Sequence, residues 1–265
     1  MDDFCKFGLE RVAVKSNWFD DHDSMYKRMG KEEGFSFYLQ LFRFRIHSVM
    51  DDPTLSYNTH LFKFTIGEML PFVRVNQKRR GRYKDVVNHL QVMKEIGILE
   101  FYDIDIESLT GNKSEKDVLI KCKAVDAVKV ENGRYMDKFI MIPLKVVDIV
   151  YGAGYTSKTL AMWVFMFKFG NNPRSAYFVK RDLAKKSLGI GNDTLRSLYV
   201  NLNKLGLAAT TENRNDNGSV RYHHTVNKLE KRDDLVRFHE IHRREIDKFI
   251  EGKGENEESP TYKIL

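Results

Sequence analysis

The sequence is poor in cysteine, in proline and in long apolar stretches. Among its 265 residues there are two cysteines and five prolines. Cys5 and Cys122 lack the paired spacing of a metal site, and isolated cysteines are typical of proteins in a reducing cytoplasm. No apolar run approaches the roughly 20 residues of a transmembrane helix, and residues 1–10 do not have the pattern of a signal peptide. We therefore expect a cytoplasmic protein that does not enter a membrane.

Acidic residues are nearly absent from residues 74–94. This stretch contains seven Lys or Arg residues, and Asp85 is its single acid. The whole chain is also basic, with a formal net charge of +7. Such a concentration of positive charge favours a polyanionic partner, above all nucleic acid.

The basic stretch leads into a pattern that occurs twice. Residues 81–96 have apolar side chains at helical spacing, and Gly97 follows as a helix stop. The same spacing recurs before and after Gly206. The matching residues are Val86, Leu90, Met93, Ile96 and Ile98 in the first copy, and Leu195, Tyr199, Leu202, Leu205 and Leu207 in the second. Because the flanking elements match as well, the pattern indicates a duplicated module.

The elements around each glycine predict a winged helix-turn-helix domain. The first module is expected to contain an extended segment at 11–19, a buried helix at 33–50, a strand at 61–64, a short helix from Thr65 to 73 that Pro71 terminates, the basic helix, and a hairpin wing formed by 100–106 and 118–124. The second module is expected to contain an extended segment at 138–147, a helix capped by Thr156 or Ser157, a strand at 177–179, helices at 180–188 and 192–205, and a wing formed by 207–212 and 220–227.

The predicted fold class is α+β, mainly α, with two winged helix-turn-helix domains in tandem and a C-terminal helix. The expected bounds are residues 1–130 for the first domain, 131–230 for the second, 231–252 for a C-terminal amphipathic helix and 253–265 for a disordered tail. That helix could pack on the second module or on a partner chain, and packing within the chain is the commoner arrangement.

Polar residues at the start of the two glycine-terminated helices, in the preceding turns and in the wings are candidate DNA contacts. Arginine can pair with guanine and asparagine with adenine, whereas lysine and arginine in turns and wings contact phosphate. The candidates are Lys78, Arg79, Arg80, Arg82, Lys84, Asn88, Lys113, Lys185, Asn192, Thr194, Arg196, Ser197, Arg214 and Arg221. The alternatives are that these residues form an ordinary solvated surface, or that the modules dock another protein.

Two other stretches resemble catalytic or metal-binding patterns. Residues 152–159, GAGYTSKT, approach the phosphate loop GxxxxGK[ST], with Lys158 and Thr159 in the phosphate and magnesium positions. Ser157 stands where the second glycine belongs, so a loop and helix cap is the favoured interpretation. His223 and His224 would point to opposite faces of a strand, so we expect wing residues near DNA or solvent rather than a metal site. We predict no catalytic residue, no metal and no cofactor, and a protein that is not an enzyme.

The arrangement of these residues resembles the tandem winged-helix replication initiators of plasmids and phages, including DnaD-like and RepA-N-type proteins of Gram-positive bacteria. The resemblance lies in residues 138–147, KFIMIPLKVV, and in the paired helix, glycine and wing segments at 81–101 and 192–210. It implies binding of double-stranded DNA at origin repeats and recruitment of host replication proteins, and it leaves dimerisation open. Two alternatives also stay open: a winged-helix transcriptional regulator and, more remotely, a nucleotide-dependent enzyme that uses Lys158.

Overall fold

The computed structural model describes residues 11–20, 24–46, 60–75, 79–80, 82–125, 130–131, 134–135, 138–169, 177–178, 181–214, 220–231 and 233–252. Helix predominates over strand, so the protein is α+β and mainly α. It divides after Leu144 into two compact units, which we call the N-terminal unit (residues 11–144) and the C-terminal unit (from residue 145). Among the described helices, none is both long enough and apolar enough to cross a membrane.

The N-terminal unit combines short helices with antiparallel strand pairs. In chain order its elements are β1 (Arg11–Lys15), α1 (Met25–Arg28), α2 (Lys31–Leu41), β2 (Leu61–Thr65), α3 (Ile66–Met69), β3 (Arg74–Val75), β4 (Arg79–Arg80), α4 (Tyr83–Glu95), β5 (Leu99–Tyr102), β6 (Leu119–Ala124), β7 (Val130–Glu131), β8 (Arg134–Tyr135) and β9 (Phe139–Pro143). The strands β2, β6 and β5 form a sheet in that order, and the other pairs are β1–β9, β3–β4 and β7–β8.

The C-terminal unit has longer helices and one sheet. Its elements are α5 (Lys145–Gly152), α6 (Ser157–Phe169), β10 (Tyr177–Phe178), α7 (Arg181–Leu188), α8 (Asn192–Lys204), β11 (Ala208–Arg214), β12 (Val220–Val226) and α9 (Asp234–Glu251). The sheet order is β10, β12, β11. The predicted amphipathic helix is present as α9, which packs on α8 and β11 and buries Ile246 and Phe249. Residues 253–265, expected to be a disordered tail, lie outside the described residues.

Both units repeat one order of elements. The order helix, strand, helix, helix, strand, strand is α6, β10, α7, α8, β11, β12 in the C-terminal unit. In the N-terminal unit it is α2, β2, α3, α4, β5, β6, with the two-residue strands β3 and β4 inserted between α3 and α4. The last strand lies in the middle of the sheet each time. The leading helices α2 and α6 are mostly buried, because both are apolar around most of their circumference.

The helices α4 and α8 end in the same way. The N–H groups of Gly97 and Ile98 bond to carbonyls three and five residues earlier, and those of Gly206 and Leu207 do the same. The two glycines have φ of +73° and +63°, a conformation that glycine adopts without steric cost. The predicted glycine stops are therefore confirmed at both helices.

The start of α3 is also as predicted. The Glu68 N–H donates to Thr65 Oγ1 at 3.2 Å, and the Thr65 N–H donates to the Glu68 carboxylate at 2.7 Å. This reciprocal pair is a capping box, which satisfies backbone donors that the first turn leaves open. Pro71 lies in a following 3-10 turn, Leu70–Phe72, where the helical segment ends.

The segment 138–147 differs from the single extended stretch that was expected. The strand β9 ends at Pro143, and Lys145 begins α5. Val12 and Val14 on β1 lie opposite Ile142 and Ile140 on β9, and all four side chains are buried. This pairing places β9 in the N-terminal unit. The units divide after Leu144, whereas the sequence predicted a boundary between residues 130 and 131.

The helix predicted at 33–50 is shorter in the structure. The helix α2 ends at Leu41, and a 3-10 turn covers Phe42–Phe44. Arg45 then forms a β-bridge with Phe62. The helix ends early because Arg45 pairs with Phe62 on β2. Helical periodicity cannot predict such a contact between distant parts of the sequence.

Candidate nucleic-acid interface

The helix α4 presents a polar ridge to solvent. Its core side, which includes Val86, is fully buried, whereas Arg82, Lys84 and Asn88 are exposed. Asp85 accepts the Arg82 backbone N–H at 2.7 Å, and its Oδ2 lies 3.7 Å from Arg82 Nε. These contacts anchor the start of the helix, with Arg82 at its N-cap and Lys84 and Asn88 in its first two turns.

A short hairpin precedes this ridge. The backbone of Arg79 and Arg80 forms β4, which pairs with Arg74–Val75. Lys78, the remaining candidate in this stretch, lies outside the described residues. The hairpin therefore carries the backbone of two candidates to the beginning of α4.

The predicted strand pair of the first wing is present as β5 and β6, but the connection between the two strands is longer than expected. The strands stop at Tyr102 and start again at Leu119, and we call residues 103–118 between them the arm loop. Ile106 in this loop is fully buried. The Gln91 side-chain amide on α4 donates to the Ile106 and Leu109 carbonyls at 3.1 and 3.2 Å. The first strand was predicted too long, to residue 106, because α4 binds the loop and the strand pairing ends at Tyr102.

One carboxylate organises the tip of the arm loop, where Lys113 lies. Glu115 accepts the N–H groups of Thr110, Gly111 and Asn112 at 3.1, 2.7 and 3.2 Å, and the Thr110 hydroxyl at 2.8 Å. These hydrogen bonds, led by that of the Thr110 N–H, lower the pKa of Glu115. Lys113 stays exposed in a 3-10 turn beside them.

The helix α8 presents a second polar ridge. Asn192, Arg196 and Ser197 are exposed, and Thr194 is half-buried. Leu195, on the other side of the helix, is fully buried. The structure therefore brings these four candidates together on the first two turns of α8.

The other candidates of the C-terminal unit lie on neighbouring elements. Lys185 is half-buried on α7, and its ammonium is 2.7 Å from Asp182 Oδ1. Arg221 is exposed on β12, and the backbone of Arg214 lies opposite Val220, at the end of the strand pair where β11 finishes and β12 begins. Lys185 is already paired with an acid, which weakens it as a candidate DNA contact.

A buried polar network, which the sequence pattern did not reveal, ties α8 to its hairpin. Asn203 Oδ1 accepts the Thr210 N–H at 2.9 Å, and Asn203 Nδ2 donates to Thr210 Oγ1 at 2.8 Å. Thr210 Oγ1 also lies 3.1 Å from His224 Nδ1. All three residues are buried. The available signal was Asn203 itself, a polar residue four positions after the core residue Tyr199 and so on the buried face of an amphipathic helix.

His224 is therefore a core residue and not, as expected, a wing residue near DNA or solvent. Its ring stacks on Tyr199 with the centroids 4.5 Å apart. Burial, with a smaller effect from His223, lowers the pKa of His224 to about 3. His223 is half-exposed, which confirms that the two histidines face opposite sides of β12.

Residues 152–159 join two helices. The helix α5 ends at Gly152, and α6 begins at Ser157, whereas a phosphate loop follows a strand. Thr159, in the proposed magnesium position, is fully buried, and Ser157 Oγ lies 2.8 Å from Tyr151 OH. The predicted loop and helix start are confirmed here. Within the described part of the chain, no three His, Cys, Asp or Glu side chains are grouped to hold a metal ion.

Comparison with known proteins gives no assignment. No protein-family model matches the chain, and no curated protein or solved structure matches it. A function must therefore be inferred from the residues and geometry of the chain itself.

Proposed function

We propose that each unit contains a winged helix-turn-helix domain and that the chain binds double-stranded DNA sequence-specifically. The repeated order of elements, with the last strand in the middle of each sheet, carries this proposal. In such domains the helix before the strand pair enters the major groove. That helix is α4 in one unit and α8 in the other, and both have an exposed polar ridge on their first turns.

The two ridges differ in chemistry, and we assign them different roles. Arg82 and Lys84 on α4 follow a basic hairpin and suit contact with phosphates, which attracts DNA of any sequence. Asn192, Arg196 and Ser197 on α8 offer the hydrogen-bond groups that read base edges. The N-terminal unit then supplies most of the nonspecific affinity, and the C-terminal unit supplies most of the sequence preference.

A finer proposal is that the chain initiates replication of a plasmid or phage by binding origin repeats. Two proposed DNA-contacting helices on one chain support it, because joining two modest contacts makes the second intramolecular and raises affinity. A plasmid that carries the bound repeats should replicate only when the chain is supplied. A transcriptional regulator would bind its operator without supporting replication. Binding to the repeats without replication of the plasmid would therefore contradict the initiator role.

The reading role of α8 is tested with Arg196→Ala. On a duplex obtained by selection from genomic fragments, we expect specific binding to weaken by about 1–3 kcal/mol, roughly five- to 150-fold. Binding to random duplex should change much less. Arg237→Ala is a matched control, because it also removes an exposed arginine. Arg237 lies on α9, in the part that packs near Gly206, and Gly206 follows the end of α8 opposite to Arg196.

Fluorescence anisotropy with the full-length chain measures these effects. If the units together neutralise about six to ten phosphates, affinity should fall about a thousandfold or more between about 50 and 200 mM salt. A nearly flat salt dependence would contradict DNA binding by this surface. Equal losses on specific and random duplexes for Arg196→Ala would contradict the reading role.

A further inference from the structure

The arm loop rests directly on the first turn of α4. A Cβ placed on Gly111 would lie 2.3 Å from Lys84 Cα and 2.6 Å from Lys84 N. Gly111 also has φ of +74°, which residues with a side chain rarely adopt. Only glycine therefore permits this approach of the loop backbone to the helix backbone.

The same loop is fastened to α3. The Gly67 N–H donates to the Lys116 carbonyl at 2.7 Å, and the Ile66 N–H donates to the Val118 carbonyl at 3.3 Å. A Cβ on Gly67 would lie 3.0 Å from the Lys116 carbonyl oxygen, so this contact is close as well. The loop thus bridges the two helices that we assign to the helix-turn-helix, and Lys113 lies between its two anchors.

Two acids of the arm loop, Asp105 and Glu107, lie beside the last turn of α4. Asp105 Oδ1 and Glu107 Oε1 lie 3.8 and 2.9 Å from the ammonium of Lys94, in the last turn of the helix. The two lysines of the loop, Lys113 and Lys116, follow its contact with the first turn. The acidic part of the loop is therefore held at the opposite end of α4 from the polar ridge.

The two acids near the tip are already engaged within the loop, and the lowered pKa of Glu115 keeps that carboxylate negatively charged. The Glu115 carboxylate is engaged by backbone N–H groups of the loop itself. Asp117 Oδ2 lies 3.8 Å from the Lys116 ammonium, and both side chains are exposed. Such a pair is worth little in water, so a phosphate can replace the aspartate.

We infer that the arm loop and the first turns of α4 form one preorganised phosphate-binding surface and that Gly111 is its positioning residue. This inference rests on the proposed DNA binding. A loop that is held before DNA arrives avoids the ordering cost that a free loop pays on binding. Lys113 and Lys116 then reach phosphates beside the groove that α4 enters. A side chain at position 111 pushes the loop away from Lys84 and separates the lysines from the ridge.

Gly111→Ala tests the inference, and Gly97→Ala is its matched control. The two glycines have φ of +74° and +73°, so the backbone strain is alike, but nothing lies within 4 Å of a Cβ at Gly97. We expect Gly111→Ala to weaken the binding of the full-length chain to specific and random duplexes alike, by roughly tenfold. The slope of log affinity against log salt should become shallower by up to about two, the share of Lys113 and Lys116. Gly97→Ala should leave affinity and slope unchanged.

A double-mutant cycle separates positioning from damage to the fold. Lys113→Ala with Lys116→Ala should reproduce the loss, and adding Gly111→Ala should then cause no further loss, since Gly111 acts through the lysines. An undiminished effect of Gly111→Ala without the lysines would overturn the inference.

The remaining outcomes distinguish the two levels of the proposal. If the double lysine variant binds DNA like the wild type while Arg196→Ala still impairs binding, the arm loop does not contact DNA. The inference is then wrong and the proposed function survives. If the wild-type chain shows no salt-dependent DNA binding, both are overturned.

Discussion

Acid should destabilise the C-terminal unit through His224. This histidine is fully buried, with Nδ1 3.1 Å from Thr210 Oγ1, and burial lowers its pKa to about 3. In the unfolded chain a histidine has a pKa of about 6.5. Below that pH the unfolded state takes up a proton that the folded state does not bind. The free energy of unfolding therefore falls as the pH drops from about 6.5 towards 3.

The size of the effect follows from the unfolded histidine. Because the folded pKa of His224 lies far below 5, protonation of the unfolded state alone governs the change between about pH 7.5 and pH 5. It lowers the free energy of unfolding by about 2 kcal/mol. In the N-terminal unit, burial and then Arg45 lower the pKa of His60 to about 4. The two units must therefore be followed separately.

The two tryptophans of the chain make this measurement practical. Trp18 lies in the N-terminal unit and Trp163 in the C-terminal unit, and both are buried. In a Trp18→Phe background, urea unfolding followed by fluorescence reports on the C-terminal unit. His224→Gln should lose about 2 kcal/mol less between the two pH values than this background does. His223→Gln, altering the half-exposed neighbour, should keep the full pH dependence.

The result that refutes the reasoning is an equal pH dependence with and without His224. Such a result would mean that the imidazole becomes protonated in the folded state near its ordinary pKa. The packing around Tyr199 and Thr210 would then not exclude the charge. A loss of pH dependence in His223→Gln would instead show that His223, and not His224, causes the effect.

Two substitutions of buried residues test how each unit holds its proposed DNA-contacting elements. Asn203→Ala removes both partners that α8 offers to Thr210, and should cost the C-terminal unit about 2–4 kcal/mol in the same urea assay. Asn201→Ala, at a half-exposed position of α8, should cost less than about 1 kcal/mol, and equal costs would contradict a role for the network. Ile106→Ala should cost the N-terminal unit about 2–4 kcal/mol, followed through Trp18 in a Trp163→Phe background. Ile46→Ala, at a position 41% exposed, should cost less, and the reverse order would show that Ile106 does not hold the arm loop.

Local sequence patterns determined the helices that carry the polar ridges. The predicted helices at 81–96 and 192–205 are present as Tyr83–Glu95 and Asn192–Lys204. Helical periodicity, a polar first turn and a glycine stop are all short-range properties, so one stretch of sequence contains them. Lys84 and Asn88 are four residues apart and share a face of α4 by the same helical geometry, and Arg82 precedes them as the N-cap.

Contacts between distant segments decided three features that these local patterns could not predict: the pairing of β9, the path of the arm loop and the burial of His224. The strand β9 pairs with β1 in the N-terminal unit, although its own sequence fits the start of a second module equally well. The arm loop, which carries Lys113, folds onto α4 because Ile106 is buried and Gln91 donates to the Ile106 and Leu109 carbonyls. The alternation along β12 separates His223 from His224, because successive residues of a strand face opposite sides. Only the packing of α8, through Tyr199 and Asn203, decides which of those sides is buried.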